Sequence, residues 1–196
     1  KSQAEKGFAW KNRWALVVRD PRSPEHSSED YVVIDFDEFL ELLKRFSDPK
    51  MKELYEQYNF QGINFFDDEL NVNKNLINDM LEFIRMQTAM KVEFRCRGFV
   101  KAELFTEEQA KILYEAGFRR LLVGFESGDP GILKNIKKKS TVEQNTRCID
   151  IAHKYNLQVK ALMSIGHAGE TEETIRATHD WLLKVQPEDF DCTVIT

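Results

Sequence analysis

Leu121-Leu-Val-Gly-Phe-Glu-Ser-Gly128 is the stretch of sequence that decides the fold. An apolar run typical of a buried strand ends there in a carboxylate, a hydroxyl and a glycine. Two other segments repeat the pattern, Asn64-Phe-Phe-Asp-Asp-Glu69 and Ser164-Ile-Gly-His-Ala-Gly-Glu170. Because ligands of α/β proteins bind just beyond the carboxyl ends of parallel strands, we expect these polar clusters to form a binding site.

Strands and helices alternate over residues 61–196. Strands are predicted at 61–66, 91–97, 118–125, 157–165 and 189–195, and amphipathic helices separate them. One strand per about thirty residues is the spacing of βαβ units, and strict alternation favours a parallel sheet covered by helices. No GxGxxG or GxxxxGKS/T motif follows a strand, so a dinucleotide fold or a P-loop enzyme has little support. The expected fold class is therefore α/β, a partial (β/α) barrel like that of TIM-barrel proteins.

Local signals place the ends of the predicted helices. Thr106 and Gln109 form a capping box, and Gly117 is the expected residue after the end of that helix. Further helices are predicted over 74–90, after Pro130, from a cap at Ser140, and over 170–185. The sequence ends on a predicted strand, whereas a parallel strand usually continues into a covering helix, so we expect a truncated barrel.

The first sixty residues have a less regular pattern than the rest of the chain. Residues 14–18 could be a short strand, Asp35 is a candidate helix cap, and Pro49 is expected to open a second helix that ends near Tyr58. We expect residues 1–196 to form one domain, with 1–60 irregular or helical and 61–196 built from βα units. A chain of 196 residues is long enough for a real core.

Composition excludes several classes of protein. The net charge is −5 with both signs interspersed, which indicates no nucleic acid partner. No apolar run approaches the roughly 20 residues that span a bilayer, and the N-terminal residues lack the apolar core of a signal peptide. The three cysteines, Cys96, Cys148 and Cys192, form no C-x-x-C pair. They indicate a reducing, cytoplasmic environment, and we expect all three to be small buried side chains.

The residues at the strand ends suit a particular ligand chemistry. The carboxylates of Asp67, Asp68, Glu69 and Glu126 suit a ligand ammonium group or ribose hydroxyls, which need acceptors. Gly166 and Gly169 would let backbone approach a flat base, and Arg97 can hold a carboxylate through two hydrogen bonds. Together they predict a ligand that is part amino acid and part nucleoside. Lys137-Lys-Lys139 is interpreted as a solvated turn.

Three segments resemble the barrel of radical S-adenosylmethionine (radical SAM) enzymes. They are Ile63-Asn-Phe-Phe-Asp-Asp68, Gly117-Phe-Arg-Arg-Leu-Leu-Val-Gly-Phe-Glu-Ser127 and Ile165-Gly-His-Ala-Gly-Glu-Thr171, and the resemblance covers roughly residues 60–196. They are most similar to the subgroup that often carries a cobalamin-binding domain upstream. The resemblance implies that a reduced [4Fe–4S] cluster cleaves S-adenosylmethionine to a 5′-deoxyadenosyl radical, and it leaves cobalamin open as a further cofactor.

The resemblance also implies roles for individual residues. Asp67, Asp68 and Glu69 occupy the strand end that holds the methionyl amino group in the family, and Glu126 with Ser127 matches the position that contacts the ribose. Ile165, Gly166 and Gly169 match the strand that lies along the adenine. Arg97 could meet the methionyl carboxylate or a substrate, and no catalytic residue is assigned.

The sequence also departs from the family. The CxxxCxxC loop that holds the cluster is absent, and three scattered cysteines cannot replace it, so no metal ligands are assigned. Two glycines of the family's commoner GGE motif are replaced by Asp67 and Asp68, and His167-Ala168 replaces the usual pair in Gly-x-Pro-Gly-Glu-Thr. We expect the cluster loop in a missing N-terminal segment of the same protein, and this chain to be inactive alone.

Two other classes of function stay open. One is a non-catalytic barrel that serves as a binding or scaffold module. The other is an ordinary metal-independent barrel hydrolase or lyase that uses Asp68, Glu126 and His167 directly. The substrate cannot be read from the sequence, because specificity in the family comes from loops and added domains.

Overall fold

The computed structural model describes residues 16–19, 31–32, 55, 61–65 and 69–195. Within this part of the chain, one seven-stranded sheet has the order β2-β1-β3-β4-β5-β6-β7. The strands are β1 (Leu16–Arg19), β2 (Tyr31–Val32), β3 (Gly62–Phe65), β4 (Arg95–Phe99), β5 (Phe118–Glu126), β6 (Gln158–Ile165) and β7 (Asp189–Val194). From β3 to β7 the neighbours pair in parallel, whereas β1 is antiparallel to both β2 and β3.

Five α-helices connect and flank the parallel strands of the described chain. They are α1 (Leu76–Met90), α2 (Glu107–Glu115), α3 (Pro130–Asn135), α4 (Val142–Lys154) and α5 (Glu172–Val185). Two 3-10 turns, Leu70–Val72 and Ala102–Leu104, precede α1 and α2. No helix in the described ranges is long and apolar enough to cross a membrane.

Strand order places the helices on one face of the sheet. Strands β3 to β7 are adjacent in the order in which they occur along the chain. Because parallel crossovers are nearly always right-handed, an unreversed order puts every crossover helix on the same side. That is the arrangement of a barrel wall, and it differs from a doubly wound sheet, in which the order reverses.

The core lies between that face and the helices. On β5 the side chains of Leu121, Val123 and Phe125 are fully buried, while the residues between them are only half-buried. Buried helix residues such as Phe83, Leu113 and Ile149 belong to the same apolar cluster. The alternation leaves Leu122, Gly124 and Glu126 on the opposite side, which we call the inner face of the sheet.

The helix ends confirm part of the predicted local chemistry. Thr106 and Gln109 form the predicted capping box, and Gly117 follows α2 with φ of 100°. An alanine Cβ at Gly117 would lie 2.2 Å from the Phe94 carbonyl oxygen, so only glycine fits there. The predicted cap at Ser140 is wrong by one residue, because Thr141 and Gln144 make the box of α4.

Other boundaries also move relative to prediction. The second parallel strand begins at Arg95 and not at residue 91, because Lys91 ends α1 in the left-handed conformation. Helices α1 and α5 each begin two residues later than predicted. The strand predicted at 14–18 overlaps β1, and the helices predicted from Asp35 and Pro49 lie outside the described residues except for Tyr55, which is helical.

Two of the three cysteines are buried as predicted. Cys96 lies in β4 and Cys148 in α4, whereas Cys192 in β7 is exposed. The prediction for Cys192 is therefore wrong. Its strand neighbours Phe190 and Val194 are also more than half exposed, which shows that no described residue covers this side of β7.

Candidate functional site

The polar site is built where β5 and β6 end side by side. The β5–β6 register runs in step as far as Gly124 and Leu162, and then shifts so that Glu126 lies beside Met163. This irregularity brings the Glu126 side chain next to Ser164, the inner-face residue near the end of β6. Bulges of this kind re-aim side chains at the rims of barrels.

Glu126 has a backbone conformation that favours glycine. Its φ is 66°, in the left-handed region, where a residue with a side chain is uncommon. Such a conformation costs about 1–3 kcal/mol and persists only where the surroundings determine it. A strained glutamate at a strand end is a physical reason to treat this residue as functional.

Two donors hold the Glu126 carboxylate. The Ser164 hydroxyl donates to Oε2 at 2.7 Å, and the Lys138 ammonium lies 3.4 Å from Oε1. Gly124 makes room for this arrangement, since a Cβ there would lie 2.9 Å from Oε1 and 3.4 Å from Lys138 Nζ. The prediction that Lys137–Lys139 is merely a solvated turn is wrong for Lys138.

The turn after β6 is fixed by glycines and by Glu170. Gly166 and Gly169 have φ of 95° and 84°. The Glu170 carboxylate accepts the backbone N–H groups of Gly166 and His167. Opposite it, the Ile165 carbonyl accepts the Ile195 N–H at 2.8 Å. This turn begins directly after Ser164, the partner of Glu126, and its backbone is held by Glu170 and Ile195.

Ser127 has a structural role. Its side chain is 1 % exposed, and its hydroxyl lies 3.0 Å from the Thr178 hydroxyl of α5 and accepts the Asp129 N–H. The Gly128 N–H donates to the same Thr178 oxygen. These bonds tie the end of β5 to α5, so the predicted ribose contact at this strand end rests on Glu126 alone.

The acidic segment after β3 is described only in part. Asp67 and Asp68 lie outside the described residues. Glu69 is half-buried and accepts a hydrogen bond from Lys101 at 2.9 Å. This bond raises the pKa of Lys101 above its usual value, because it favours the charged ammonium. Glu69 is thus engaged in an ion pair with the turn that follows β4.

Arg97 lies on a lower level of the inner face. It pairs in register with Arg120, which precedes Glu126 by six residues on β5, a distance of about 20 Å along an extended strand. Its Nε donates to Asn64 Oδ1 at 2.6 Å. Asn64, Arg97, Arg120 and Gln158 form one row across the sheet, which we call the lower row. Arg97 therefore does not join the Glu126 cluster.

The cysteines do not fit an iron–sulfur cluster. Burial raises the pKa of the Cys96 thiol, and it raises the pKa of Cys148 to about 12. Cluster ligands are thiolates that lie close together, whereas these residues are on different elements and Cys192 is on a third. The described residues contain no group of three or more histidine, cysteine or acidic side chains that could hold a metal ion.

A cavity of about 640 Å³ lies at the opposite ends of the strands. It is lined by Gln87, Lys91 and Phe94 at and after the end of α1, and by Tyr114, Gly117 and Arg119 at and after the end of α2. None of the described residues that were predicted for ligand binding lines it. The rim formed by Glu126 and the turn after β6 is therefore the better candidate site.

Comparisons with known proteins identify the family of this chain. The sequence model of the radical SAM superfamily matches residues 23–182, and the chain belongs to this superfamily. It is 29 % identical over 143 residues to an uncharacterized methyltransferase of Pyrococcus horikoshii, covering 73 % of this chain and 30 % of that protein. A bacteriochlorophyllide d C-12(1)-methyltransferase of Chlorobaculum tepidum is 24 % identical over 122 residues, covering 61 % of this chain and 26 % of that one.

A solved structure shares the fold. The radical SAM methyltransferase TsrM from Kitasatospora setae, with cobalamin and a [4Fe–4S] cluster bound, has a TM-score of 0.64 at 19 % identity. The match covers 93 % of this chain and 33 % of that one. At this identity the likeness shows the fold alone, and it confirms the partial (β/α) barrel. The chain spans about a third or less of the length of these relatives.

Proposed function

We propose that this chain is the part of a radical SAM enzyme that binds the adenosyl group of S-adenosylmethionine, at the rim formed by the ends of β5 and β6. The observation that carries the proposal is the Glu126 carboxylate, strained in its backbone and held by Ser164 and Lys138. Membership of the radical SAM superfamily supports the same ligand.

Glu126 has acceptor capacity left for a ribose. An ionised carboxylate offers about four lone-pair sites, and the two contacts from Ser164 and Lys138 use two of them. Each oxygen thus keeps one site for a hydroxyl donor. Hydrogen bonds to a charged acceptor contribute about 1.5–3 kcal/mol each, so the pair of ribose hydroxyls is the ligand group that gains most here.

The remaining parts of the ligand have weaker support. We assign the adenine to the turn of Ile165, Gly166 and Gly169, because this turn follows directly on Ser164, the serine that contacts Glu126. Asp67 and Asp68 stay candidates for the methionyl ammonium from the family resemblance. We leave Arg97 out of the cofactor site, because its row lies about 20 Å below Glu126 along β5.

The cluster would require ligands from outside these 196 residues, because the sequence has three scattered cysteines and no CxxxCxxC motif. We assign no step of the radical chemistry to this chain beyond binding and orienting the nucleoside. Two relatives are named methyltransferases, and one methyltransferase structure has cobalamin bound, so methyl transfer with cobalamin is the reaction class we favour.

The arrangement of Ser164, His167 and Glu126 does not favour the alternative of a metal-independent hydrolase. The Ser164 hydroxyl lies 2.7 Å from His167 Nε2, as a nucleophile and its base would. However, the Glu126 carboxylate contacts the serine and not the histidine, so within the described residues no carboxylate orients the imidazole as in a catalytic triad. Ser164 is also only 7 % exposed, which leaves little access for a substrate carbonyl.

Titration with S-adenosylhomocysteine tests the proposal. We expect heat of binding, with shifts of the amide resonances of Gly124, Gly166 and Gly169. Glu126→Gln should weaken binding about 10- to 100-fold, since it removes hydrogen bonds to a charged acceptor. Glu172→Gln is the matched control, because Glu172 is an exposed α5 residue whose ion pair within the described part of the chain is with Arg176. No binding by the wild type, or equal affinity for Glu126→Gln, would overturn the assignment and favour a scaffold module.

A further inference from the structure

We propose that Ser164 and His167 are positioning residues that lock the Glu126 carboxylate in place and thereby make the site select for an intact ribose. This inference rests on the proposed function and goes further, because neither residue belongs to the set predicted to contact the ligand. The line of contacts runs from His167 Nε2 to Ser164 Oγ at 2.7 Å, and from Ser164 Oγ to Glu126 Oε2 at 2.7 Å.

Counting protons fixes the direction of both bonds. A serine hydroxyl has one proton, and an ionised carboxylate can only accept. Ser164 therefore donates its proton to Glu126 and must accept a hydrogen bond from His167. This assigns the proton on the imidazole to Nε2, the nitrogen that faces Ser164. His167 thus keeps the serine proton pointed at the carboxylate.

Each member of the line is held from outside. The backbone N–H of His167 donates to the Glu170 carboxylate, which also accepts the backbone N–H of Gly166. Glu170 thereby fixes the turn that carries the imidazole. Ser164 is 7 % exposed, so water cannot readily take the place of its partners. At the other end, the left-handed backbone of Glu126 and the ion pair with Lys138 restrict where the carboxylate can lie.

The consequence for the ligand follows from this restriction. A free glutamate side chain would have to lose rotamer freedom when it accepts ribose hydroxyls, at a cost in affinity. With Ser164 and His167 in place, much of that ordering is already complete before the ligand arrives. The gain applies only to ligands that donate to Glu126, so the two residues should affect recognition of the ribose and leave binding of the base unchanged.

The experiment compares two nucleosides on a set of variants. The probes are 5′-methylthioadenosine and its 2′,3′-dideoxy analogue, which lacks both hydroxyls, with affinities measured by calorimetry. Ser164→Ala should weaken the first about tenfold and leave the second unchanged, since a hydrogen bond to a charged group is lost. His167→Ala should act in the same direction by about threefold. His167→Gln, which retains an N–H donor, should recover part of the loss.

A double-mutant cycle separates positioning from general damage. In the Glu126→Gln background, Ser164→Ala should have no further effect on the methylthioadenosine affinity. Ser140→Ala is the matched control, because Ser140 is 3 % exposed and its hydroxyl has no hydrogen-bond partner among the described residues. Unchanged affinity of the dideoxy analogue reports that each variant is folded.

The outcomes distinguish this inference from the function on which it rests. If Glu126→Gln weakens methylthioadenosine binding but Ser164→Ala does not, the positioning role is wrong and the nucleoside site stands. Equal losses for both nucleosides would show a structural role only. If the wild type binds neither nucleoside, both proposals fall.

Discussion

The two levels of the inner face use similar side chains for different purposes. In the lower row, Arg97 is held by Asn64, and Arg120 lies 3.3 Å from Gln158 Oε1 and 3.8 Å from Asp189. At the rim, Glu126 has donors on each oxygen and still has lone pairs to spare. The contacts of the lower row join neighbouring strands. At the rim, Glu126 keeps unused acceptor sites that a ligand could fill.

Backbone strain follows the same division. Glu126 has a left-handed φ, and no residue of the lower row does. Strain of this kind is uncommon where extended strand geometry would serve equally well, and it is found at binding sites where a side chain must point in one direction. The lower row thus joins neighbouring strands through satisfied polar contacts, whereas the proposed site has a strained and partly satisfied one.

The sharpest way to break this contrast is Gly124→Ala. The new Cβ would lie 2.9 Å from Glu126 Oε1, at the end of a flexible side chain, so we expect the carboxylate to move rather than the strand. The expected result is at least a tenfold loss of S-adenosylhomocysteine affinity with little change in thermal stability. Calorimetry and thermal unfolding of the same samples measure both.

Gly62→Ala is the matched glycine control, on β3 two residues before Asn64 of the lower row. Its Cβ would meet only the Arg95 carbonyl oxygen at 3.7 Å, an ordinary contact. Its ligand affinity should equal that of the wild type. A similar loss of affinity in both glycine variants would mean that the room beside Glu126 has no special importance.

Ser127→Ala tests the contrast between Ser127, to which we assign a structural role, and its neighbour Glu126, which we propose to bind the ligand. Ser127 is buried and bonded to Thr178, so removing its hydroxyl should destabilise the fold by about 1–3 kcal/mol. For a chain of this size, that corresponds to a fall in midpoint of about 2–4 °C per kcal/mol. S-adenosylhomocysteine affinity should not change. A lower S-adenosylhomocysteine affinity at unchanged stability would support the ribose contact that the sequence predicted for Ser127.

Lys160→Met gives the smallest expected effect, on stability alone. Lys160 lies 2.7 Å from Asp191 and 3.4 Å from Asp189, just above the lower row. The hydrogen bond with Asp191 raises the pKa of Lys160 above the usual lysine value. The stabilisation is therefore fully present below that usual value and is lost as the pH rises through the raised pKa.

The thermal midpoint of Lys160→Met should lie slightly below that of the wild type at neutral pH, and the two should converge at strongly alkaline pH. Lys184→Met is the control, since Lys184 of α5 forms no ion pair with the described residues. A gap that widens with pH would contradict the role of the Lys160 charge.

Most of the fold could be predicted from the sequence, because local signals determine it. The apolar alternation of β5, the box at Thr106 and the glycine at 117 act within a few residues, and the structure confirms each. A predicted helix boundary was wrong where two adjacent residues can each serve as the cap. Thr141 and Ser140 can both cap a helix, and Thr141 does so because Gln144 completes the box.

The site could be predicted only where its geometry is local. Glu126 stands at the end of an evident strand, whereas the partner that buries the Ser127 hydroxyl is Thr178, 51 residues away. The level of Arg97 depends on the β4–β5 register, which no local pattern specifies. Ser164 could have been found, because alternation along β6 puts it on the same face as Lys160 and Leu162.

The unreversed strand order gives each strand two independent tasks. Every second residue packs against the helices and contributes to stability, and the residues between them face the side on which we propose that the ligand binds. A substitution such as Leu122→Val should therefore alter ligand preference with little loss of stability. The same substitution at the fully buried Leu121 should destabilise the fold. The ligand specificity of such a barrel can therefore change by single substitutions at inner-face positions while the core stays the same.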